Sequence, residues 1–381
     1  VRVVVAVIGG LVIVADMADL VKALVVPRPS TRSPTARSVI AVRSLLHRIA
    51  GAMPTFAQRD RFLAVAEPTM MLVRLLLWLA IGLVGFALLL WGTGATTITH
   101  AFVVSGSSVF TLGFAVEGGG GPSVVIFLAA AFGLVVVALQ IAYLPALYAA
   151  FNRREMLVTM LESRAGTPAW GPELLARHYL VGIEGNLAPF YAEWEQWAAD
   201  VGESHTTYPT LLYLRSPHPT NSWIVGLVAV LDSAALYLAL SPSTAPAEAR
   251  LCLRMGFTAL RDIARAVGIA FDPDPMPDTP IALERREFDE AVARMGDAGV
   301  PLERSADDAW PHFVGWRTNY ESVAFTLADK VYAPPALWTG ARRYQRDGHL
   351  APRRPVDRTP AHPEGAPPRS PPSPGAPSTT L

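Results

Sequence analysis

Three long apolar runs in the first 151 residues, at 3–26, 68–91 and 123–151, constrain this chain more than any other feature. A helix needs about 20 apolar residues to cross a hydrocarbon core of about 30 Å. The second and third runs meet that length outright. The first is continuously apolar to Ala15 and is then interrupted by Asp16, Asp19 and Lys22. Two readings of its charged end stay open: interfacial placement with snorkelling, or an acid working inside the bundle. Asp19 and Lys22 stand three apart, a spacing that allows a pair on one helical face. No small-x-small cleavage pattern follows, so the run reads as a retained helix.

The charge pattern orients these runs. The loop at 27–67 carries Arg28, Arg32, Arg37, Arg43, Arg48, Arg59 and Arg61 against Asp60 and Glu67, and the excess of positive charge places it on the cytoplasmic side. Within it, 36–50 alternates arginine with apolar residues at helical spacing. This predicts an amphipathic helix on the inner leaflet, with Arg43 and Arg48 meeting either anionic headgroups or water. The segment at 92–121 has no lysine or arginine and Glu117 is its one acid, which suits the outer side. Three spans on these signals put the N-terminus outside and everything after Asn152 inside.

Between the second and third spans lies a short apolar stretch, 101–110, too short to cross. Ser105, Gly106, Ser107 and Ser108 suit close packing within protein rather than contact with lipid. The turn Thr111-Leu112-Gly113-Phe114 follows, and then Gly118–Gly121 leads back into the membrane. Irregular backbone is tolerated at that depth only where protein buries it or it lines a watery cavity. A short helix whose C-terminal end carries partial negative charge favours a cation beyond it. The third run is long for a bilayer, about 43 Å as helix, and fits a tilted, pore-lining span. Gly133 near its middle and Pro145 near its inner end, within Tyr143-Leu-Pro-Ala-Leu-Tyr148, are the expected hinge or gate, or equally a packing kink.

These residues resemble the pore hairpin of bacterial ion-channel proteins of the two-pore-domain potassium channel superfamily type, with one pore loop per chain. The resemblance covers about 68–155, and Trp194-Glu-Gln-Trp197, Glu203-Ser-His-Thr-Thr-Tyr-Pro209 and Asn221-Ser-Trp223 extend it. It implies a homotetramer in a lipid bilayer, conducting monovalent cations with K⁺ as the permeant ion. It also implies a selectivity filter at Thr111, Leu112, Gly113, Phe114 and Ala115, and a pore helix holding Ser105, Ser107 and Ser108. The family pattern Thr-Val-Gly-Tyr/Phe-Gly-Asp is matched through Phe114. Ala115 then replaces the second glycine, and Val116 the acid, with Glu117 one place on. An alanine forced left-handed at 115 would cost about 1–2 kcal/mol. Two functions therefore stay open, a conducting cation pore and a non-conducting membrane scaffold or sensor on the same fold.

The remainder of the 381-residue chain reads differently. Apolar spacing predicts helices at 172–181, 187–201, 210–214, 223–240, 247–267, 281–295 and 308–330, with strand-like alternation almost absent. The expected organisation is an all-α membrane protein. Its parts are a first transmembrane helix (1–26), an Arg-rich loop (27–67), a pore domain (68–155), a cytoplasmic all-α domain (156–341) and a Pro-rich disordered tail (342–381). The run at 223–240 is apolar enough to span, but Arg250, Arg254, Arg261 and Arg265 follow it against the charge rule, so it is expected as a buried core helix.

Several function classes find no support in the residues. Thirty-two basic residues balance thirty-two acidic ones, so nothing points to nucleic acid. Cys252 is the single cysteine and fits a reducing compartment. No phosphate-cradling glycine pattern precedes a helix. Glu203 and His205 do not share a helical face, and no metal-ligand set, cofactor site or nucleophile–base set is apparent, so no enzyme is expected. Trp194 and Trp197 read as a packing stripe. No ladder of arginines occurs in any span, so voltage sensing is not indicated. The bacterial inner membrane is the expected location.

Overall fold

The computed structural model describes residues 1–26, 34–95 and 97–339, with the side chains of 34–36 excepted. Arg28, Arg32 and the Pro-rich tail at 342–381 lie outside the described residues. The described residues form α-helices and short 3₁₀ turns, with no strand among them. They divide into two units, Val1–Phe151 and Asn152–Leu381.

The first unit holds α1 (Arg2–Leu24), α2 (Pro34–Gly51), α3 (Phe56–Thr93), α4 (Ile98–Val109) and the larger part of α5 (Gly120–Ala165). Thr55 caps α3, its hydroxyl accepting from the Gln58 N–H at 3.3 Å. That cap lets α3 start twelve residues before the expected Pro68. Pro68 falls inside the helix, where the Thr69 hydroxyl donates to the Val65 carbonyl at 2.8 Å. The expected span at 68–91 is thus the later part of a 38-residue helix. Pro145 lies within α5, which runs on without a break past Asn152 to Ala165.

Helices α1 and α3 meet through small residues. A Cβ on Gly9 would lie 2.6 Å from the Gly85 carbonyl oxygen, and one on Gly92 would lie 2.5 Å from the Ala6 Cβ. Backbones this close gain dispersion contacts that larger side chains would block. Asp19 does not pair with Lys22 along α1. It is buried and its Oδ2 accepts from the Trp78 indole N–H of α3 at 3.0 Å, while Lys22 is exposed. Asp16 and Asp19 are thus both buried by protein. Arg43 also departs from expectation. Its guanidinium makes two bonds to the Glu67 carboxylate, at 2.7 and 2.9 Å, tying α2 to α3 instead of facing headgroups. Arg59 donates to the carbonyls of Ala50 and Met53, closing the C-terminal end of α2, where positive charge is favoured.

Among the described residues, four helices are long and apolar enough to cross a membrane. In α1, α3 and α5, between 22% and 33% of the apolar window is buried by protein. Val3, Val7, Leu11 and Val14 of α1 and Phe127, Leu128, Leu134 and Ile141 of α5 are exposed. Apolar faces of that extent need a non-aqueous surround, and they mark the chain as a membrane protein. The fourth, α8 (Trp223–Leu240), is 94% buried, so its apolar character is satisfied by protein, as the arginines after it foretold.

Around α8 the second unit gathers α6 (Gly171–Leu180), α7 (Leu187–Thr207), α9 (Ala247–Ala266), α10 (Arg285–Asp297), α11 (Ala306–Arg317) and α12 (Glu321–Lys330). The last two were expected as one helix. Asn319 breaks it, its side-chain amide donating to the carbonyls of Gly315 and Trp316 and drawing the backbone out of register. The break turns two charged side chains inward. Arg317 is fully buried and donates to Asp232 at 2.5 Å, to Glu321 at 2.8 Å and to the Trp338 carbonyl at 2.8 Å. The Tyr320 hydroxyl also donates to Asp232, at 2.7 Å. Burial opposes the Arg317 charge, but Asp232 and Glu321 outweigh it and hold the guanidinium above its ordinary range. Glu173 plays a matching part between α6 and α10, accepting from Arg177 at 2.9 Å and Arg294 at 2.8 Å.

Removing one partner of a buried pair strands the other charge. Arg317→Met should therefore lower unfolding stability by about 3–5 kcal/mol, and the double change Asp232→Leu with Arg317→Met should recover part of the loss, Glu321 still lacking its cation. Denaturant titration of the purified protein by circular dichroism checks both; an additive double variant would contradict the pairing.

Candidate functional site

The expected site residues gather at the end of α4. Thr97 caps this helix by accepting from the His100 N–H at 3.1 Å. At twelve residues, or about 18 Å, α4 is too short to cross a bilayer. Its hydroxyls explain how an interrupted backbone is accommodated. Ser105 donates to the Leu83 carbonyl of α3 at 2.8 Å. Ser108 donates to the Val104 carbonyl at 2.8 Å. Ser107 does more. Its carbonyl accepts from Leu112 at 2.8 Å and Gly113 at 3.2 Å, and its hydroxyl accepts from the Ala115 N–H at 3.0 Å. One serine thus receives three of the first donors after the helix.

After Val109 the chain turns and runs without regular structure through 112–118. Thr111 has φ 54° and Gly113 has φ 72°. In an extended chain successive carbonyls point to opposite sides, so left-handed residues two apart change which way the carbonyls face. Glycine takes that conformation freely. Threonine, branched at Cβ, takes it at a cost of about 1–3 kcal/mol. Ala115 is not left-handed, so the strain expected there falls on Thr111 instead. Leu112, Phe114 and Val116 are 64%, 69% and 71% exposed, an apolar row at alternate positions. Glu117 closes the segment beside His100, carboxylate to imidazole at 2.9 Å, joining the end of the segment to the start of α4.

Gly133 sits where α5 passes the last residue of α4. A Cβ there would collide with the Val109 carbonyl. Gly133 thus forms a notch that admits the carbonyl end of α4. Beside it, Phe132 crosses Phe86 edge-on at 5.6 Å and fills the space above Gly82. Pro145 stands apart from this cluster, with Leu147 buried and Tyr148 exposed on the same stretch.

In the second unit the aromatic residues behave as packing. Trp194 and Trp197 are buried with ring centroids 4.6 Å apart. His205 is enclosed rather than presented. Its Nε2 lies 3.1 Å from Arg154, whose guanidinium also donates to the carbonyls of Leu211 and Leu214 at 2.7 Å. Burial first, and the Arg154 charge second, push His205 well below the ordinary imidazole value, so it is neutral and accepts from arginine. Among the described residues no group of three His, Cys, Asp or Glu is placed to hold a metal ion. Neither the Arg154–His205 contact nor the Arg317–Asp232 pair had a signal in sequence spacing, since the partners are 51 and 85 residues apart.

Comparisons with protein-family models, with curated proteins and with solved structures found no match.

Two outcomes follow from this geometry. Gly133→Ala should dislodge α4 and cost several kcal/mol, as an overpacked position with backbone on the far side does; of order 1–3 kcal/mol is usual even for yielding side chains. Thermal unfolding in detergent reads this, and a neutral effect would contradict the notch. His205 sets a pH dependence. The unfolded chain binds a proton near about pH 6.5 that the folded chain refuses, so stability is complete above that value and is lost as pH falls below it. His205→Gln should flatten the acid limb of a plot of unfolding temperature against pH.

Proposed function

We propose that the chain is the pore-forming subunit of a homotetrameric cation channel, with K⁺ as the permeant ion. In this reading α3, α4 and α5 form the pore hairpin, and α4 with Ser105, Ser107 and Ser108 is the pore helix. Thr111, Leu112, Gly113, Phe114 and Ala115 make the filter. The protein spans the bacterial inner membrane several times, with the second unit in the cytoplasm.

One observation carries the reading: a helix too short to cross, followed by an extended segment with left-handed residues at Thr111 and Gly113, held back to that helix at Ser107. Selectivity filters use backbone carbonyls in place of the water an ion sheds. That chemistry needs a segment whose donors are already spent inside the protein and whose carbonyls are free, and the three bonds to Ser107 spend the donors. The exposed row of Leu112, Phe114 and Val116 supports assembly, because other copies around a shared axis would cover it. Four copies are proposed since one chain supplies one filter strand.

Ala115 favours the second reading, a non-conducting membrane scaffold or sensor. It is half-buried and not left-handed, so the carbonyl series begun at Thr111 and Gly113 stops one position short of the family pattern.

Purified protein in liposomes should pass Tl⁺ or K⁺ above the level of empty vesicles, and Ala115→Gly should shift the reversal potential in mixed Na⁺ and K⁺ toward that of K⁺. Flux equal to empty vesicles for both proteins would leave the scaffold reading; monomers alone on cross-linking in membranes would remove the pore.

A further inference from the structure

Helix α1 buries two acids one turn apart, Asp16 and Asp19, at 4% and 8% exposure. Asp16 lies seven residues, or two turns, beyond Gly9, on the face that meets α3. The two acids have different surroundings. Asp19 accepts from the Trp78 indole, and the Arg74 guanidinium stands 5.3 Å over that indole ring, close enough for its charge to act on Asp19. Neither oxygen of Asp16 has a hydrogen-bond partner.

The charged and hydrogen-bonding groups on the stretches of α1 and α3 around Asp19 can be named, and of these only Asp19 acts on Asp16. On its own helix they are Asp19, a like charge, and Lys22, which is exposed. On α3, the helix packed against α1, they are Trp78, whose N–H is already given to Asp19, and Arg74. Arg74 also feels Tyr143 of α5 and Arg43 of α2. Arg74 therefore answers Asp19, and no donor or counter-ion answers Asp16. An ionised carboxylate cannot be held in a dry helix seam on those terms, whereas a neutral carboxyl can, and in practice such groups neutralise.

We propose that Asp16 is a proton-binding site in the seam between α1 and α3, filled while α1 is seated and emptied when the seam opens to water. The seat is close-fitting, since Gly9 and Gly85 let the backbones touch two turns away. Seating of α1 and uptake of one proton are then linked, and alkaline conditions favour release of α1. This holds whether or not the chain conducts ions.

Full-length protein in lipid nanodiscs is treated with dicyclohexylcarbodiimide, a hydrophobic reagent that adds to protonated carboxyls, and the adduct is mapped by mass spectrometry. The adduct is expected on Asp16 at mildly acidic pH. Its rate should fall about tenfold per pH unit beyond the titration midpoint. Asp16→Asn should abolish it and Asp19→Asn should not. Infrared spectroscopy gives a second reading, a protonated-carboxyl carbonyl band present in the native protein and lost in Asp16→Asn. That band alone sustains the proposal if the reagent is shut out. An adduct on Asp19 instead, a rate at Asp16 indifferent to pH, or a band that survives in Asp16→Asn overturns it. A rate that falls with added Na⁺ at fixed pH marks a metal-cation site and overturns it too, as does the absence of both adduct and band.

Discussion

Backbone that leaves a helix inside a protein must find acceptors there for its N–H groups, because an unpaired buried donor is costly. In this chain Ser107 takes that burden. Its carbonyl and hydroxyl accept from Leu112, Gly113 and Ala115, and the irregular segment exists because those acceptors are waiting. Everything near it is arranged to keep Ser107 in place. Ser105 holds α4 to α3, Thr97 fixes the start of α4, and Gly133 admits its end.

The two units handle charge by the same rule. In the second, buried arginines are fully engaged: Arg154 with backbone carbonyls and His205, Arg317 with two carboxylates and a carbonyl. Such clusters contribute little net stability over an apolar core, but they penalise any packing that parts them. They therefore fix which helices may neighbour α8. In the first unit the buried charges are fewer and less fully answered, as the contrast between Asp19 and Asp16 makes plain.

Length and hydropathy made the apolar helices legible from sequence, and the arginines after α8 separated a core helix from a span. Residues that act through remote partners were not legible. Pro68 misled, because it was read as the start of a span and lies inside α3. The Asn319 break went unseen because the amide acts on carbonyls three and four residues back, leaving the apolar period of 308–330 intact. Lys22 looked like the partner of Asp19 by spacing alone, yet an indole 59 residues away took the bond. At the candidate site the strain was expected at Ala115, whereas the left-handed non-glycine residue of that segment is Thr111.

The notch at Gly133 has a mechanical meaning. One residue of helix is a rotation of about 100°. Turning α5 by that much would replace the gap with the bulk of Phe132 or Leu134 and drive the Val109 carbonyl outward. The fit acts as a detent: twisting α5 about its own axis ejects the short helix that rests on it.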